Sequence, residues 1–220
     1  MTTKIRRYTG KDIDVTFDVK RCIHAEECVR NLPQVFDTSR RPWIMPENSP
    51  SADRLAEVVV TCPTGAIHYD FKSKDQIENP PDTNTIWLVE NGPIYVFGDL
   101  TIESDDGEFT LKETRAAFCR CGATHNKPFC DNSHKDVEFS ASSSLEGEGA
   151  AVKITPLNAP GGLLITFKTD QLGSIKFSGP VQIKNGEDEV IYQGNRASLC
   201  TCSLSIKKPF CDASHRKVKN

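Results

Sequence analysis

The sequence predicts an α+β protein, in which a small α+β unit precedes two β-rich modules that repeat one another. Three observations predict it. Residues 92–134 align without a gap on residues 173–215 at an offset of 81, with 16 of 43 positions identical. Short alternating runs rich in β-branched residues precede each cysteine-rich segment, as expected of strands. The N-terminal stretch matches neither copy and mixes strand-like with helix-like patterns. The expected divisions are 1–76, 77–138 and 139–220.

In the first division, DIDVTFD at 12–18 alternates and reads as a strand. AEECVRN at 25–31 reads as a short helix stopped by Pro33. SADRLAEVVVTC at 51–62 places Ser51 at an N-cap, Asp53 in the first turn, and Leu55, Val58 and Val59 on one face. Pro63-Thr64-Gly65 breaks that helix, and AIHYDF at 66–71 returns as a strand. In the first copy the strand-like runs are IWLVE at 86–90, PIYVFG at 93–98 and DLTIES at 99–104. In the second they are LLITFKT at 163–169, SIKFSG at 174–179 and PVQIKN at 180–185. Asn-Gly pairs at 91–92 and 185–186 mark turns. A cysteine-rich loop and a short helix start then follow in each copy. A polar Ser- and Gly-containing stretch within 136–161 joins the two.

Composition narrows the function. The chain has 220 residues, 37% hydrophobic and 26% charged, which is globular rather than disordered. A net charge of −3 and the lack of a basic stripe give no reason to expect a nucleic-acid partner, HRKVK at 215–219 reading as a solvated end. No apolar run reaches the roughly 18 residues that would span a bilayer. The N-terminus has no apolar export core, so a cytoplasmic protein is expected. Thiols stay reduced there, and an odd total of nine cysteines argues against a closed disulfide set. No Gly-x-Ser-x-Gly, no phosphate loop and no other catalytic motif is present, so an enzyme is not expected. Gly161-Gly162 is too short to signal a nucleotide site.

The cysteines fall in three groups of three. Each repeat carries Cys-x-Cys-x8-Cys-x3-His: Cys119, Cys121, Cys130 and His134, then Cys200, Cys202, Cys211 and His215. The last pair is four residues apart, one helical turn, so both side chains would leave one helix face. The first pair can converge only from an extended loop. Two donors from a loop and two from a helix start suit two adjacent metal atoms. Asp131 is placed to accept amides at the helix start, whose positive end would favour an anionic cluster. Spacing alone leaves structural zinc and an iron–sulfur cluster both open.

These residues resemble the CDGSH iron–sulfur (mitoNEET-like) family, whose pattern is Cys-x-Cys-x2-Ser/Thr-x3-Pro-x-Cys-Asp-Gly-Ser/Ala/Thr-His. Cys119, Cys121, Thr124, Pro128, Cys130, Asp131, Ser133 and His134 match it, as do Cys200, Cys202, Ser205, Pro209, Cys211, Asp212, Ser214 and His215. The resemblance covers about residues 85–135 and 162–216. It implies one [2Fe–2S] cluster per copy, with the first two cysteines on an inner iron and the third cysteine and histidine on an outer one. Both copies depart at the glycine, where Asn132 and Ala213 stand. Alanine adopts left-handed backbone poorly, so the position is expected to need a small side chain rather than a positive φ.

The third group is Cys22, Cys28 and Cys62, closed by Pro63. CIHAEECVRNLPQVFD and VTCPTGAI resemble the divergent single-cluster ferredoxin domain, which implies a ferredoxin-like α+β domain and a [4Fe–4S] cluster. The usual middle ligand falls on Ala25, which cannot bind iron. Three cysteines could hold [3Fe–4S], or [4Fe–4S] with another ligand such as His24. The bland readings are three unligated thiols and a surface histidine at His24. His68 and His125 read as ordinary polar residues.

The expectation is a one-electron carrier with three clusters, working with a redox partner protein. The alternatives are storage, transfer to an apo acceptor or redox sensing, and a zinc-stapled interaction module. Single-motif members of the family pair as homodimers. The duplicated modules are therefore expected to pack as an intramolecular pseudo-dimer in a monomer that meets no membrane. Replacing one thiolate by a neutral imidazole raises a cluster's potential, and the second ring nitrogen couples the electron to a proton. His134→Cys should therefore give a cluster of lower, less pH-dependent potential that resists acid. An unchanged potential by redox titration would mean that His134 is not a ligand.

Overall fold

The computed structural model describes residues 5–73, 78–147, 151–157, 161–169 and 173–217. The chain divides into two compact units, 1–79 and 80–220.

The first unit has a three-stranded antiparallel sheet of β1 (Arg6–Tyr8), β2 (Ile13–Phe17) and β3 (Ile67–Phe71), in the order β1-β2-β3. Alternation sends Ile13, Val15 and Phe17 inward. They meet α2 (Ala52–Val59), whose Leu55, Val58 and Val59 are buried as their spacing requires. Ser51 caps α2, its hydroxyl accepting from the Arg54 amide at 3.1 Å. The short α1 (Glu27–Asn31) ends before Pro33. Phe36 and Ile44 complete the core, and Trp43 meets Phe17 edge-on at 4.9 Å. Cys22, Cys28 and Cys62 pack against this core, half-buried.

Asp14, on the central strand, fastens that sheet. It is 9% exposed and accepts from Arg7 at 3.1 Å, from the Gly10 amide at 3.2 Å and from Lys72 at 3.3 Å. Burial pushes its carboxyl up, but these donors outweigh burial and hold it below its ordinary value of 3.8.

The second unit holds both repeats. The first copy supplies β4 (Thr85–Leu88), β5 (Ile94–Ser104) and β6 (Thr110–Phe118). After a short β7 (Lys153–Ile154), the second copy supplies β8 (Leu163–Phe167), β9 (Ser174–Lys184) and β10 (Val190–Cys200). The pairs of short runs expected at 93–104 and 174–185 are each one long strand. The junction is a bulge at Gly98 and Gly179, with φ of 153° and 130°. A Cβ there would lie 2.1 Å from the Asn84 Oδ1 and 2.4 Å from the Gly162 oxygen, so only glycine lets the strand pass.

The copies share their first strands, each of which pairs antiparallel with its own long strand and parallel with the other copy's. β4 runs parallel to β9, with Ile86 opposite Ile183, and β8 runs parallel to β5, with Ile165 opposite Ile102. Ile102 and Ile183 are equivalent in the repeat, so each copy receives the other's strand at the same place. Asn84 ties the shared strands down: its amide donates to the Gly161 and Pro180 oxygens, both at 2.8 Å, and its oxygen accepts from the Asp99 amide at 3.0 Å. One core results, with Ile86, Val96, Leu100 and Phe118 from the first copy against Leu163, Phe177, Val181 and Leu199 from the second.

Because the folded carboxyl titrates below 3.8, the contribution of Asp14 is complete above that value and lost as pH falls through the lower folded one. Asp14→Asn should cost the first unit about 1–2 kcal/mol at neutral pH, since the cationic partners remain partly hydrated. Denaturant titrations should show the gap to wild type closing below pH 3.8, and a gap independent of pH would contradict the assignment.

Candidate metal centres

Each CDGSH loop hangs from a strand end and closes on itself. In the first copy the Cys119 amide donates to the Pro128 oxygen at 3.1 Å, and the Cys130 amide donates back to Ala117 at 2.9 Å. The second copy repeats this with Cys200 to Pro209 at 2.8 Å and Cys211 to Ser198 at 2.9 Å. Inside each loop one hydroxyl bridges: Thr124 donates to the Phe129 oxygen at 2.7 Å and accepts the Asn126 amide, and Ser205 donates to Phe210 at 2.7 Å and accepts the Lys207 amide. This is why the motif asks for Ser or Thr there.

The aspartate locks loop to turn. Asp131 accepts from the His125 amide at 2.8 Å and from the Ser133 amide and hydroxyl at 3.0 and 2.6 Å. Burial opposes its ionisation, but those donors win and hold the carboxyl at about 2. Asp212 accepts from the Ile206 and Ser214 amides at 3.1 and 2.9 Å. Hydrogen bonds from Ser214, side chain first, hold it below the ordinary range.

Two expectations change here. Asn132 and Ala213 both lie in left-handed backbone, at φ of 73° and 65°, so the motif's glycine position does need a positive φ. Asp131 and Asp212 brace the reversal by accepting the Ser133 and Ser214 amides across it, which offsets a steric cost of about 1–2 kcal/mol for alanine. The expected helix start is only a 3-10 turn, Ser133–Lys135 and Ser214–Lys217, and Cys130 and Cys211 precede it. No helix dipole of consequence acts on the donors. Individual amides do so instead, Ala123 on Cys121 and Asn132 on Cys130, both at 3.4 Å, with Ala213 on Cys211 at 3.4 Å.

The donors come together in pairs. Cys119 and Cys121 place their sulfurs 3.5 Å apart, and Cys200 and Cys202 3.6 Å. The Cys130 sulfur lies 3.5 Å from the His134 Nδ1, and Cys211 3.8 Å from the His215 Nδ1. A tetrahedral metal with bonds of about 2.3 Å to sulfur and 2.0 Å to nitrogen spaces two sulfurs about 3.8 Å apart, and a sulfur and a nitrogen about 3.5 Å apart. Each pair therefore has the spacing of two ligands on one metal. Among the described residues, no three His, Cys, Asp or Glu side chains gather around a single ion position. Cys119, Cys130, Cys200 and Cys202 are buried, whereas both histidines are half-exposed.

Burial pushes the Cys130 thiol up to about 12 and the Cys121 and Cys202 thiols up to about 11. Such groups become thiolates only against a cation. Burial, then Lys135 and Arg120, lowers the His134 pKa and so favours the neutral ring that can bind metal. Soft sulfur donors, neutral imidazole nitrogen and amide hydrogens aimed at sulfur fit an iron–sulfur cluster.

In the first unit Cys22 lies after β2, Cys28 in α1 and Cys62 after α2. Burial pushes Cys28 up to about 12, and the nearby Cys62 and Cys22 add to it. Ala25 sits between His24 and Glu26, both left-handed at φ of 55° and 65°. His24 is exposed and lines, with Cys22, Cys28, Trp43, Arg6 and Arg41, an open cavity of about 740 Å³. That space admits a cluster. His125 is exposed, with Nδ1 3.5 Å from Asp131, and His68 pairs with Glu78 at 3.0 Å, so both are the ordinary polar residues expected. Arg120, between two donors and buried at 4% exposure, was not singled out by sequence, although a charge inside Cys-x-Cys was a visible signal.

Comparison with known proteins places these sites in families. Residues 8–72 match the family model described as divergent 4Fe-4S mono-cluster, and residues 91–135 and 172–216 match that of the iron-binding zinc finger, CDGSH type. The uncharacterized protein YjdI of Escherichia coli strain K12, and that of strain O157:H7, are each 43% identical over 67 residues. That match spans 30% of this chain and 87% of each relative. No solved structure matches the chain. The chain belongs to the CDGSH iron–sulfur family, with two tandem CDGSH motifs behind a divergent 4Fe-4S mono-cluster domain. It is an iron–sulfur protein.

Asp131→Asn keeps the shape of the lock but removes its charge. Amide hydrogen exchange at His125 and Ser133 should quicken about tenfold, which corresponds to about 1.4 kcal/mol. Unchanged exchange at both amides would show that the aspartate does not hold the loop.

Proposed function

We propose that the chain is a one-electron carrier with three clusters: a [2Fe–2S] in each CDGSH copy, and a [3Fe–4S] or [4Fe–4S] in the first unit. Cys119, Cys121, Cys130 and His134 would hold the first, Cys200, Cys202, Cys211 and His215 the second, and Cys22, Cys28 and Cys62 the third. The observation that carries the reading is the division of donors, in both copies, into a Cys–Cys pair and a Cys–His pair, each at one-metal spacing, with the histidine half-exposed. A binuclear centre uses such pairs, whereas one structural zinc would draw all four donors together. The inner cysteines hold charge away from water, and the histidine edge lets an electron enter from a redox partner.

The grouping of three half-buried thiols against the core of the first unit supports a polynuclear cluster too, in which each cysteine would hold a different iron. The strand sharing supports a monomer acting as a pseudo-dimer, because each copy's missing neighbour comes from the same chain. The protein would work in the cytoplasm, away from membranes and nucleic acid, as a carrier rather than a catalyst. The half-exposed histidines favour a second reading, release of the cluster to an apo acceptor.

Anaerobic electron paramagnetic resonance with iron and sulfide analysis tests the reading. Two [2Fe–2S] signals and one cubane-type signal are expected, with a red-brown colour bleached by dithionite. Bound zinc without visible bands would refute it. Rapid passage of the cluster to an apo-ferredoxin would favour the second reading.

A further inference from the structure

We propose that Arg120 makes the two CDGSH sites electrically unequal, so that the second site holds an added electron in preference to the first. The proposal rests on both sites being [2Fe–2S] centres.

Arg120 stands between Cys119 and Cys121, yet its side chain turns away from them. Its Nε donates to the Gly92 oxygen at 2.8 Å, one Nη to the Ser142 oxygen at 3.1 Å, and the other to Val89. Three carbonyls thus solvate a cation that is only 4% exposed. Among the described residues it forms no ion pair. The nearby carboxylates are engaged elsewhere: Glu146 accepts the Ser142 amide at 2.8 Å and lies 4.0 Å from Lys208, while Glu90 accepts the Ser143 amide at 2.6 Å. A buried charge without a contact counterion is costly. Its field also reaches its neighbours with little screening.

Those neighbours differ between the sites. The guanidinium lines one narrow cleft with Cys200, Ser203, Lys208 and Pro209 of the second copy. Toward the first site an aromatic ring intervenes: Arg120 lies 5.8 Å from the Phe139 centroid, and that ring meets His134 edge-on at 6.3 Å. The cation therefore shares a cleft with a cysteine donor of the second site, while Phe139 stands between it and the His134 ring of the first. The repeat supplies the control. Thr201 is equivalent to Arg120 and bonds the equivalent carbonyl, Gly173, through its hydroxyl at 3.1 Å. The charge that the second copy brings to a cleft with Cys119 is Lys168, which is exposed and so screened by water and salt, unlike the buried Arg120.

A positive charge beside a centre stabilises its reduced form, which carries one more negative charge. Dithionite supplies the electron, reducing one ferric ion to ferrous and itself becoming oxidised, and no covalent bond forms or breaks. In a half-reduced sample the electron should occupy the second site at least tenfold more often, a separation of about 59 mV for a one-electron couple.

Redox titration followed by electron paramagnetic resonance reads this, with His215→Cys marking the wave of the second site. Two separated waves are expected, the upper one shifted by His215→Cys. Arg120→Gln and Arg120→Thr should lower that wave and remove the tenfold preference, and Arg120→Lys should keep most of it. Coincident waves in the wild-type protein would overturn the proposal without any variant. So would an unchanged separation in Arg120→Gln carrying both clusters by iron and sulfide analysis. Clusters absent from the wild-type protein would defeat the reading of the sites themselves, which that analysis detects separately.

Discussion

Two sulfurs held 3.5 Å apart in a buried loop are the constraint on which the rest of the second unit depends. As thiolates with nothing between them they would repel by roughly 5 kcal/mol at an effective dielectric of about 20. As thiols they are neutral and poor ligands. Only a cation lets both ionise, and the loop must keep them in place until one arrives. The surrounding bonds serve that end: the amides of Cys119 and Cys130 bonded across the loop neck, the Thr124 hydroxyl bridging its interior, and the Asp131 carboxylate tying it to the turn below. The second loop repeats these devices with Ser205 and Asp212.

Such loops need a rigid support, and the shared sheet provides it. Each loop follows the third strand of its copy, which pairs with a long bulged strand, which in turn lies beside the other copy's first strand. Neither copy encloses a core alone, since Ile86 and Ile183 lie in one cluster with Ile102 and Ile165. The connecting segment adds Phe139, Ser142 and Glu146 around Arg120. Duplication within one chain thus permits what two identical chains cannot, a different residue at one position of each copy.

The sequence made the donors legible because an offset of 81 repeats all eight of them. It also made α2 legible, since a serine cap and a three-residue apolar face are local signals. The strand sharing was not visible in any one segment, because parallel neighbours far apart in sequence leave no local pattern. β6 and β10 were missed because TLKETRAAF and VIYQGNRASLC carry polar and charged residues on their open faces. β5 and β9 were split because Gly98 and Gly179 look like strand ends, whereas a close-passing backbone requires them. The left-handed turn at Ala213 ran against propensity, as sites under functional constraint do. Arg120 was hidden because nothing in Cys-Arg-Cys tells that its side chain crosses to the other copy.

The central claim is that each CDGSH site binds iron through a Cys–Cys pair and a Cys–His pair. Pulsed electron paramagnetic resonance of the dithionite-reduced protein, with and without nitrogen-15 histidine, tests it most directly. The account predicts histidine nitrogen coupling in both [2Fe–2S] signals, lost from one by His134→Cys and from the other by His215→Cys. Reduced signals with no histidine nitrogen coupling would contradict it.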